Sequence, residues 1–192
     1  MPPKPKYTRE EIIRAALNIV ATKGPGALTA KELGSALSCS ASPIFTVFNS
    51  MQEVQDEVRR AAMDYFQDFK SSDFEDLPHF KRVGMKMVTF GIQEPKLFQL
   101  LFMTENGDAV SFGDIFSILG PVADECMESI RAEYGLNEAE ARLLFENVWI
   151  YTFGVGALCA TGVCHFSEAT LGEMLTTQFT AMMHLIHARR NP

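Results

Sequence analysis

The fold is decided by residues 29–50, which read TAKELGSALSCSASPIFTVFNS. Thr29 is followed three residues later by Glu32, the spacing of a capping box, in which a hydroxyl and a carboxylate satisfy the free amides at a helix start. Ser40 is predicted to cap a second, very short helix over residues 41 to about 47. The stretch therefore predicts two short helices joined by a tight turn.

The same capping pattern occurs on both sides of this stretch. Thr8 with Glu11 predicts the start of a first helix, and residues 24–26 (Gly-Pro-Gly) predict its end. Ser50 with Glu53 predicts a long helix that runs to about residue 70. The apolar residues expected on the inner faces of these helices are Ile13, Ala16, Leu17, Val20, Leu33, Leu37, Ile44, Phe48, Val54, Val58, Ala61, Tyr65 and Phe69.

The remainder of the chain also shows the 3.6-residue apolar period of helices, and no segment alternates as a strand does. After a linker-like stretch at 71–78, helices are predicted at about 79–93, 95–105, 112–134, 138–162 and 168–189, the third of them kinked near 120–121. The fold class is therefore all-α, with about nine helices. An N-terminal three-helix helix-turn-helix domain, residues 1–49, is followed by a C-terminal helical bundle, residues 50–192.

Composition fits a folded chain, since 47% of its 192 residues are hydrophobic and 21% are charged. The net charge of −7 is unevenly distributed. Residues 1–48 carry six basic and three acidic side chains, a balance of +3, which leaves −10 for the remainder. Residues 1–7 lack an apolar run, and residues 148–160 are too short and Gly-rich to span a bilayer. We therefore expect a cytoplasmic protein without a membrane partner.

The four cysteines, Cys39, Cys126, Cys159 and Cys164, have no CxxC spacing and are expected to be reduced and buried. The grouping of Cys159, Cys164 and His165 leaves a metal site as the weaker interpretation. The sequence also lacks a phosphate-binding Gly loop, a His-rich metal motif and a clustered nucleophile and base. We expect no cofactor, no metal and no enzymatic activity.

Two short capped helices that follow a longer helix and a basic arm are typical of a helix-turn-helix. The second helix must present small or polar side chains to the major groove of DNA. An ordinary helical hairpin without a DNA role is the alternative. The candidate DNA-binding residues are Lys4, Lys6, Tyr7, Thr29, Lys31, Ser40, Ala41, Ser42, Pro43, Phe45 and Thr46.

Residues 12–54 resemble the tetracycline-repressor (TetR) family of regulators. In that family a Ser caps the recognition helix and a Tyr-x-His-Phe run ends it. Ser40 and Phe48 match this pattern, and Phe45 stands in place of the Tyr. The residues that carry the match are Ile13, Ala16, Leu17, Lys23-Gly24, Leu28-Thr29, Leu33, Leu37-Ser38-Cys39-Ser40 and Ile44-Phe45-Thr46-Val47-Phe48.

The chain also departs from the family pattern. Val47 replaces the usual His, Met51 replaces a Lys, and Ser38 replaces a turn Gly. The first two changes remove phosphate contacts, so the resemblance implies a shallow salt dependence of DNA binding. Residues 148–154 are similar to the Trp-x-x-x-His-Gly pattern of one class of C-terminal domains in the family, with Phe153 in the His position.

The resemblance makes a ligand pocket expected in the bundle, where residues 85–116 are rich in Met and Phe. A well-packed core is the alternative for these residues. The candidate ligand-pocket residues are Met87, Phe90, Phe98, Leu101, Phe102, Met103, Phe116, Trp149 and Phe153.

The last helix carries an apolar seam, and small residues on the helix before it allow close approach. Together they predict a homodimer interface, with packing inside the monomer as the alternative. The candidate interface residues are Gly154, Leu158, Leu171, Leu175, Phe179, Met182 and Ile186.

These features predict a ligand-responsive transcriptional regulator, a repressor that binds palindromic operator DNA as a homodimer. A small apolar or drug-like molecule would release it, with the change transmitted by the helix that starts at Ser50. The first alternative is a constitutive DNA-binding regulator or activator without small-molecule sensing. A helical carrier or enzyme for hydrophobic substrates is a more remote one.

Overall fold

The computed structural model describes residues 6–69, 77–104 and 120–190, and all regular secondary structure within these ranges is helical. The prediction of an all-α fold is therefore confirmed. The helices are α1 (Arg9–Lys23), α2 (Ala30–Ala36), α3 (Met51–Asp68), α4 (His79–Gln93), α5 (Pro95–Phe102), α6 (Pro121–Tyr134), α7 (Glu138–Ala160) and α8 (Glu168–Arg190), with single 3₁₀ turns at Pro25–Ala27 and Ile44–Thr46. The part of the helix predicted at 112–119 lies outside the described residues.

The chain forms two compact units that do not coincide with the predicted domains 1–49 and 50–192. Unit 1 is Met1–Phe69 with Gln93–Thr104, and unit 2 is Lys70–Ile92 with Glu105–Pro192. Unit 1 extends beyond residue 49 because α3 and α5 both pack against α1. Unit 2 contains α4 up to Ile92 and the helices α6, α7 and α8.

The N-terminal caps of unit 1 follow the sequence pattern in part. Thr8 and Glu11 form the predicted capping box, each side chain accepting a hydrogen bond from the other residue's amide. The Thr29 hydroxyl accepts from the Glu32 amide at 3.2 Å. The Glu32 carboxylate, however, is paired with Lys23, so this second cap is one-sided.

The core of unit 1 agrees with the predicted stripes at Ala16, Val20, Val54 and Val58, which are buried, and departs from them at other positions. On α1, Ile12 and Ile19 are buried, whereas Ile13 and Leu17 are only half-buried. On α3 the buried residues are Val54, Val58 and Ala62, spaced by four, so Ala61 is not at the centre of the stripe. Tyr65 was also predicted inside but is 42% exposed, because its hydroxyl donates to the Glu94 carboxylate at the surface.

Unit 2 is centred on α7, which packs against α6 and α8. Its Leu144 and Phe145 side chains are buried in a cluster with Ile130 of α6 and Ile186 of α8. By length and composition alone, α7 is long and apolar enough to cross a membrane. A core helix with these contacts passes the same test, and we read α7 as a core helix.

Candidate functional site

The segment between α2 and α3 contains less helix than the sequence predicts. Instead of a helix over 41–47 there is one 3₁₀ turn, Ile44–Thr46, with Pro43 at its N-cap, so Ser40 does not cap it. From Ala41 onward the backbone forms hydrogen bonds between residues three apart. The first is donated by the Ile44 amide to the Ala41 carbonyl at 3.1 Å. Pro43 also disfavours the α conformation of the residue before it, Ser42, which opposes an α-helix that starts at residue 41.

One aliphatic and one aromatic side chain anchor this segment to the core of unit 1. Ile44 is fully buried and Phe48 is 1% exposed, and their spacing of four places both on the inner side. The Phe48 amide donates to the Ile44 carbonyl at 3.0 Å, which makes one helical turn between the anchors. The prediction that these two residues lock the segment to the core is confirmed.

The outer side of the segment is uncharged and mostly polar, and we call it the tip. It consists of Ser40, Ser42, Phe45 and Thr46, with the half-buried Ala41 and Pro43 between them. Phe45 is 45% exposed, although it is a large apolar side chain. The Thr46 hydroxyl donates to the Pro43 carbonyl at 2.6 Å. The tip thus gathers in one place the small and polar residues that were predicted to contact DNA.

The turn that leads from α2 to the tip depends on a glycine that the sequence reasoning missed. A Cβ on Gly34 would lie 2.9 Å from the Cys39 carbonyl oxygen and 3.2 Å from the Ser40 carbonyl carbon. The Cys39 amide donates to the Gly34 carbonyl at 2.8 Å, which keeps the two backbones in contact. Ser38 adopts the left-handed φ of 52°, at the position where the sequence comparison noted a Ser in place of a turn Gly.

Some of the basic side chains counted in residues 1–48 are engaged within unit 1. Lys23 pairs with Glu32, and Arg9 pairs with both Glu53 (2.9 Å) and Glu57 (2.8 Å). Within the described ranges Lys31 and Arg14 have no ion pair, and Lys31 is exposed on α2. Of the five basic residues of this stretch that the structure describes, Lys6, Arg14 and Lys31 are therefore the ones without an ion pair.

The arm before α1 is only partly available for contacts with a ligand. The Tyr7 hydroxyl donates to the Leu37 carbonyl, so this group is occupied inside unit 1. Lys6 is exposed, and its Nζ lies 5.2 Å from the centre of the Tyr7 ring. Lys4 was also predicted to contact DNA but lies outside the described residues.

Arg9 joins α1 to α3 and to the inner anchor of the tip. Its guanidinium lies 4.3 Å from the centre of the Phe48 ring and donates to the Glu53 carboxylate. The pKa of Glu53 is lowered, first because the Asn49 amide donates to its carboxylate and then because Arg9 does. Glu53 therefore uses its carboxylate on Asn49 and Arg9 rather than on Ser50, and the third predicted capping box is one-sided.

Unit 2 contains a cavity of about 370 Å³ between α4, α7 and α8. Phe80 and Met85 of α4, Val148 of α7, and Leu175 and Phe179 of α8 are among its apolar walls. The buried Thr152 also lines it, but its hydroxyl donates to the Val148 carbonyl at 2.7 Å. This cavity is the candidate ligand site of the described residues.

The residues predicted to line a pocket do not line this cavity. Phe98 and Leu101 are buried in unit 1, where the Phe102 ring meets the Phe66 ring edge-on at 5.3 Å. In unit 2, Trp149 and Phe153 stack on each other at 5.3 Å. The remaining predicted residues are Met87 and Phe90, both buried, Met103, 42% exposed, and Phe116, which lies outside the described residues. For most of these residues the alternative reading, core packing, describes their position.

The predicted dimer seam is largely used inside the protomer. Leu171, Met182 and Ile186 are buried in the core clusters of unit 2, and Leu175 and Phe179 line the cavity. This happens because α8 packs its seam against α7 and its neighbours. Of the predicted interface residues, Leu158 (38% exposed) and the half-buried Gly154 remain on the outer face of α7.

That outer face carries further apolar side chains that the sequence reasoning did not select. Ile150 of α7 is 51% exposed and lies four residues before Gly154, on the same side of the helix as Leu158. Leu185 of α8 is 40% exposed, and Ala181, one turn earlier, is exposed as well. The sequence could not reveal that these apolar residues are exposed, because apolar periodicity does not distinguish an inner from an outer apolar face.

The described cysteines are all free thiols. Only Cys126 is buried, and burial raises its pKa to about 12. Cys39, Cys159 and Cys164 are partly exposed, so the expectation that all four are buried is wrong. Within the described ranges no three His, Cys, Asp or Glu side chains cluster as a metal site would require.

No model of a protein family matches the sequence, and no curated protein matches it. The resemblance of residues 12–54 to the TetR family therefore stays a prediction based on those residues.

Proposed function

We propose that this chain is a DNA-binding transcriptional regulator of the TetR type, which acts as a homodimer and responds to a small molecule. The observation that carries the proposal is the tip. Its outer surface is uncharged and mostly small, while the buried Ile44 and Phe48 anchor it to the core of unit 1. Such a surface suits contact with base edges, which requires close approach and few but well-positioned side chains.

The chemistry of the tip fits the major groove. Ser and Thr hydroxyls donate to or accept from base edges, and an apolar side chain such as Phe45 contacts the thymine methyl group. Residues 33–52 contain no charged side chain, so no carboxylate of the tip repels phosphate. Lys31 on the adjacent α2 supplies a cation for the backbone, as the first helix of such a motif does.

The outer faces of α7 and α8 support the homodimer. Residues 147–160 and 174–186 contain no Asp, Glu, Lys or Arg, although these stretches include exposed positions. Ile150, Leu158 and Leu185 are exposed there, and apolar faces of this kind mark interaction sites. A second copy is the partner that the tip requires, because a helix-turn-helix reads two half-sites related by a two-fold axis.

Chain connectivity offers a path for the ligand response. α4 lines the cavity and is followed, after Glu94 alone, by α5, which packs against α1 and α3 in unit 1. A ligand that shifts α4 would act on α5 directly, in addition to the predicted role of the helix that starts at Ser50. A coupling of about 1–3 kcal/mol is sufficient for regulation.

The proposal is tested by fluorescence anisotropy with duplex DNA from the flanks of the chain's own coding region, against unrelated competitor DNA, over a series of salt concentrations. Lys31→Gln should weaken binding to all duplexes alike and reduce the log–log salt slope by about 1. Arg131→Gln removes an exposed cation of α6 in unit 2 and should leave both quantities unchanged. Equal effects of the two variants, or no binding above competitor by the wild type, would contradict DNA binding by unit 1.

The cavity also favours a second candidate, a helical carrier for hydrophobic molecules. A carrier would bind such a molecule at the cavity and show no affinity for duplex DNA. A constitutive regulator would instead bind DNA with an affinity that no cavity ligand changes. Anisotropy titrations with and without a cavity ligand separate these three functions.

A further inference from the structure

One cation lines the mostly apolar cavity of unit 2. Lys81 is among its lining residues, and no Asp or Glu is. The Lys81 Nζ lies 4.5 Å from the centre of the Phe179 ring, which is itself a cavity wall. Within the described ranges Lys81 makes no ion pair, so its charge is balanced only by the face of an aromatic ring and by solvent.

Two threonines, Thr152 and Thr176, also line the cavity. Thr176 is exposed, and the buried Thr152 offers little to a ligand. Thr152 is 2% exposed, and its hydroxyl donates to the Val148 carbonyl of its own helix. Most of the wall is therefore hydrocarbon, from residues such as Phe80, Met85 and Leu175. A ligand that matches both parts of this cavity has an apolar body and one negative charge.

We propose that the cavity binds an amphipathic carboxylate, with its hydrocarbon part against the apolar walls and its carboxylate on the Lys81 ammonium. A volume of about 370 Å³ lies at the lower end of the roughly 300–1,000 Å³ typical of small-molecule sites. The ligand is therefore a medium-length acyl chain or a small aryl acid rather than a bulky drug. The inference deepens the proposed function, since it rests on the cavity being the sensor site, but the binding itself does not require DNA.

Isothermal titration calorimetry of the full chain with decanoate and with decan-1-ol, below micelle concentrations, tests the charge of the ligand. Decanoate should bind about tenfold more tightly than decan-1-ol, as expected for a charge-assisted hydrogen bond at the rim of an apolar site. Lys81→Met should remove this preference and leave decan-1-ol binding unchanged, whereas Lys81→Arg should keep it. Equal affinities of the wild type for the two probes, or no binding of either, would overturn the proposal.

Gly172 provides an independent test of the location. It lines the cavity from α8, and a Cβ built on it meets no atom within 4 Å. Gly172→Phe should therefore fill the cavity and abolish binding of both probes, while circular dichroism shows an intact helical fold. Thr177→Phe, at an exposed position of α8 that does not line the cavity, should bind both probes as the wild type does. Unchanged binding by a folded Gly172→Phe variant would place the ligand elsewhere and overturn the assignment.

DNA binding keeps the two hypotheses apart. If decanoate binds through Lys81 but no duplex binds above competitor, the cavity assignment stands and the regulator fails. If duplex DNA binds but the probes do not, the regulator stands and the cavity assignment fails.

Discussion

Gly34 is the position where one added methyl group should disturb the proposed DNA-reading segment most. Its neighbours are backbone atoms, the Cys39 carbonyl oxygen at 2.9 Å and the Ser40 carbonyl carbon at 3.2 Å from a built Cβ. Backbone atoms cannot swing aside as a flexible side chain does. Gly34→Ala must therefore move the turn that carries the chain from α2 to the tip.

The magnitude follows from two opposed effects. Overpacking in a well-packed site costs about 1–3 kcal/mol, whereas Gly→Ala inside a helix gains roughly 0.5–1 kcal/mol. The net change for Gly34→Ala is then a loss of about 0–2.5 kcal/mol in the free energy of unfolding. Gly172→Ala is the matched control, because it lies inside α8 and its Cβ meets nothing within 4 Å. It should show only the gain.

Urea denaturation of both variants, followed by far-ultraviolet circular dichroism, measures this difference. The variants should differ by about 1–3 kcal/mol, which is the overpacking cost alone because the helix gain cancels. DNA affinity of Gly34→Ala should fall as well, since its turn positions the tip. If Gly34→Ala proves as stable as Gly172→Ala, the close approach of the two backbones is not real and the account of the turn is refuted.

Three further changes have expected outcomes. Ser38→Gly should raise the free energy of unfolding by about 0.5–1 kcal/mol in urea denaturation, because Gly relieves the left-handed φ but adds entropy to the unfolded chain; a loss of stability would contradict it. Arg190→Gln should raise the pKa of Glu140, now about 2 chiefly through its hydrogen bond from Arg190, toward 4.5 in an NMR titration. Because the folded-state pKa of Glu140 is lowered, the Glu140–Arg190 pair stabilises the fold above pH 4.5 and ceases to do so as the pH falls to about 2. The free energies of unfolding of the wild type and Arg190→Gln should therefore converge at about pH 2. A lower stability of the variant that persists at that pH would contradict this account. Ile150→Glu should yield monomers in analytical ultracentrifugation, whereas Val163→Glu, at a 69% exposed apolar residue outside both helices, should leave dimers intact; dimers of both variants would exclude the outer face of α7.

The sequence predicted those features of the fold that depend on local chemistry. Thr8 and Glu11 form their capping box because the two side chains need only each other's amides. Glu32 and Glu53 were expected to do the same, but the Glu32 carboxylate pairs with Lys23, and the Glu53 carboxylate accepts from the Asn49 amide and pairs with Arg9. A rule based on spacing along the chain does not detect a cation that tertiary packing brings close to a carboxylate.

The direction of a helix face is also set by tertiary packing. α1 contains Ile12, Ile13, Leu17 and Ile19, so more than one apolar stripe fits the 3.6-residue period. Packing of α3 and α5 selects the stripe with Ile12 and Ile19. Nothing in the sequence indicates that α5 belongs to unit 1, because the helix α4 separates it from α3 along the chain.

The candidate sites were predictable to different degrees. The tip was found because its residues are contiguous, from Ser40 to Thr46. The cavity was not, because its walls come from three helices, and a residue such as Lys81 has no sequence neighbour that signals a pocket. Gly34 was missed because a close approach between backbones leaves no trace except the glycine itself.

The central claim, that unit 1 reads DNA as part of a symmetric pair, is tested most directly by selecting duplexes from a random-sequence pool with the purified chain. The proposal predicts convergence on a palindromic sequence whose half-site centres lie roughly 34–36 Å apart, or a multiple of that distance. A Phe45→Ala variant, altered at the exposed aromatic residue of the tip, should select a sequence with relaxed preference within each half-site. A pool that fails to converge, or a site bound equally well by single protomers, would contradict the claim.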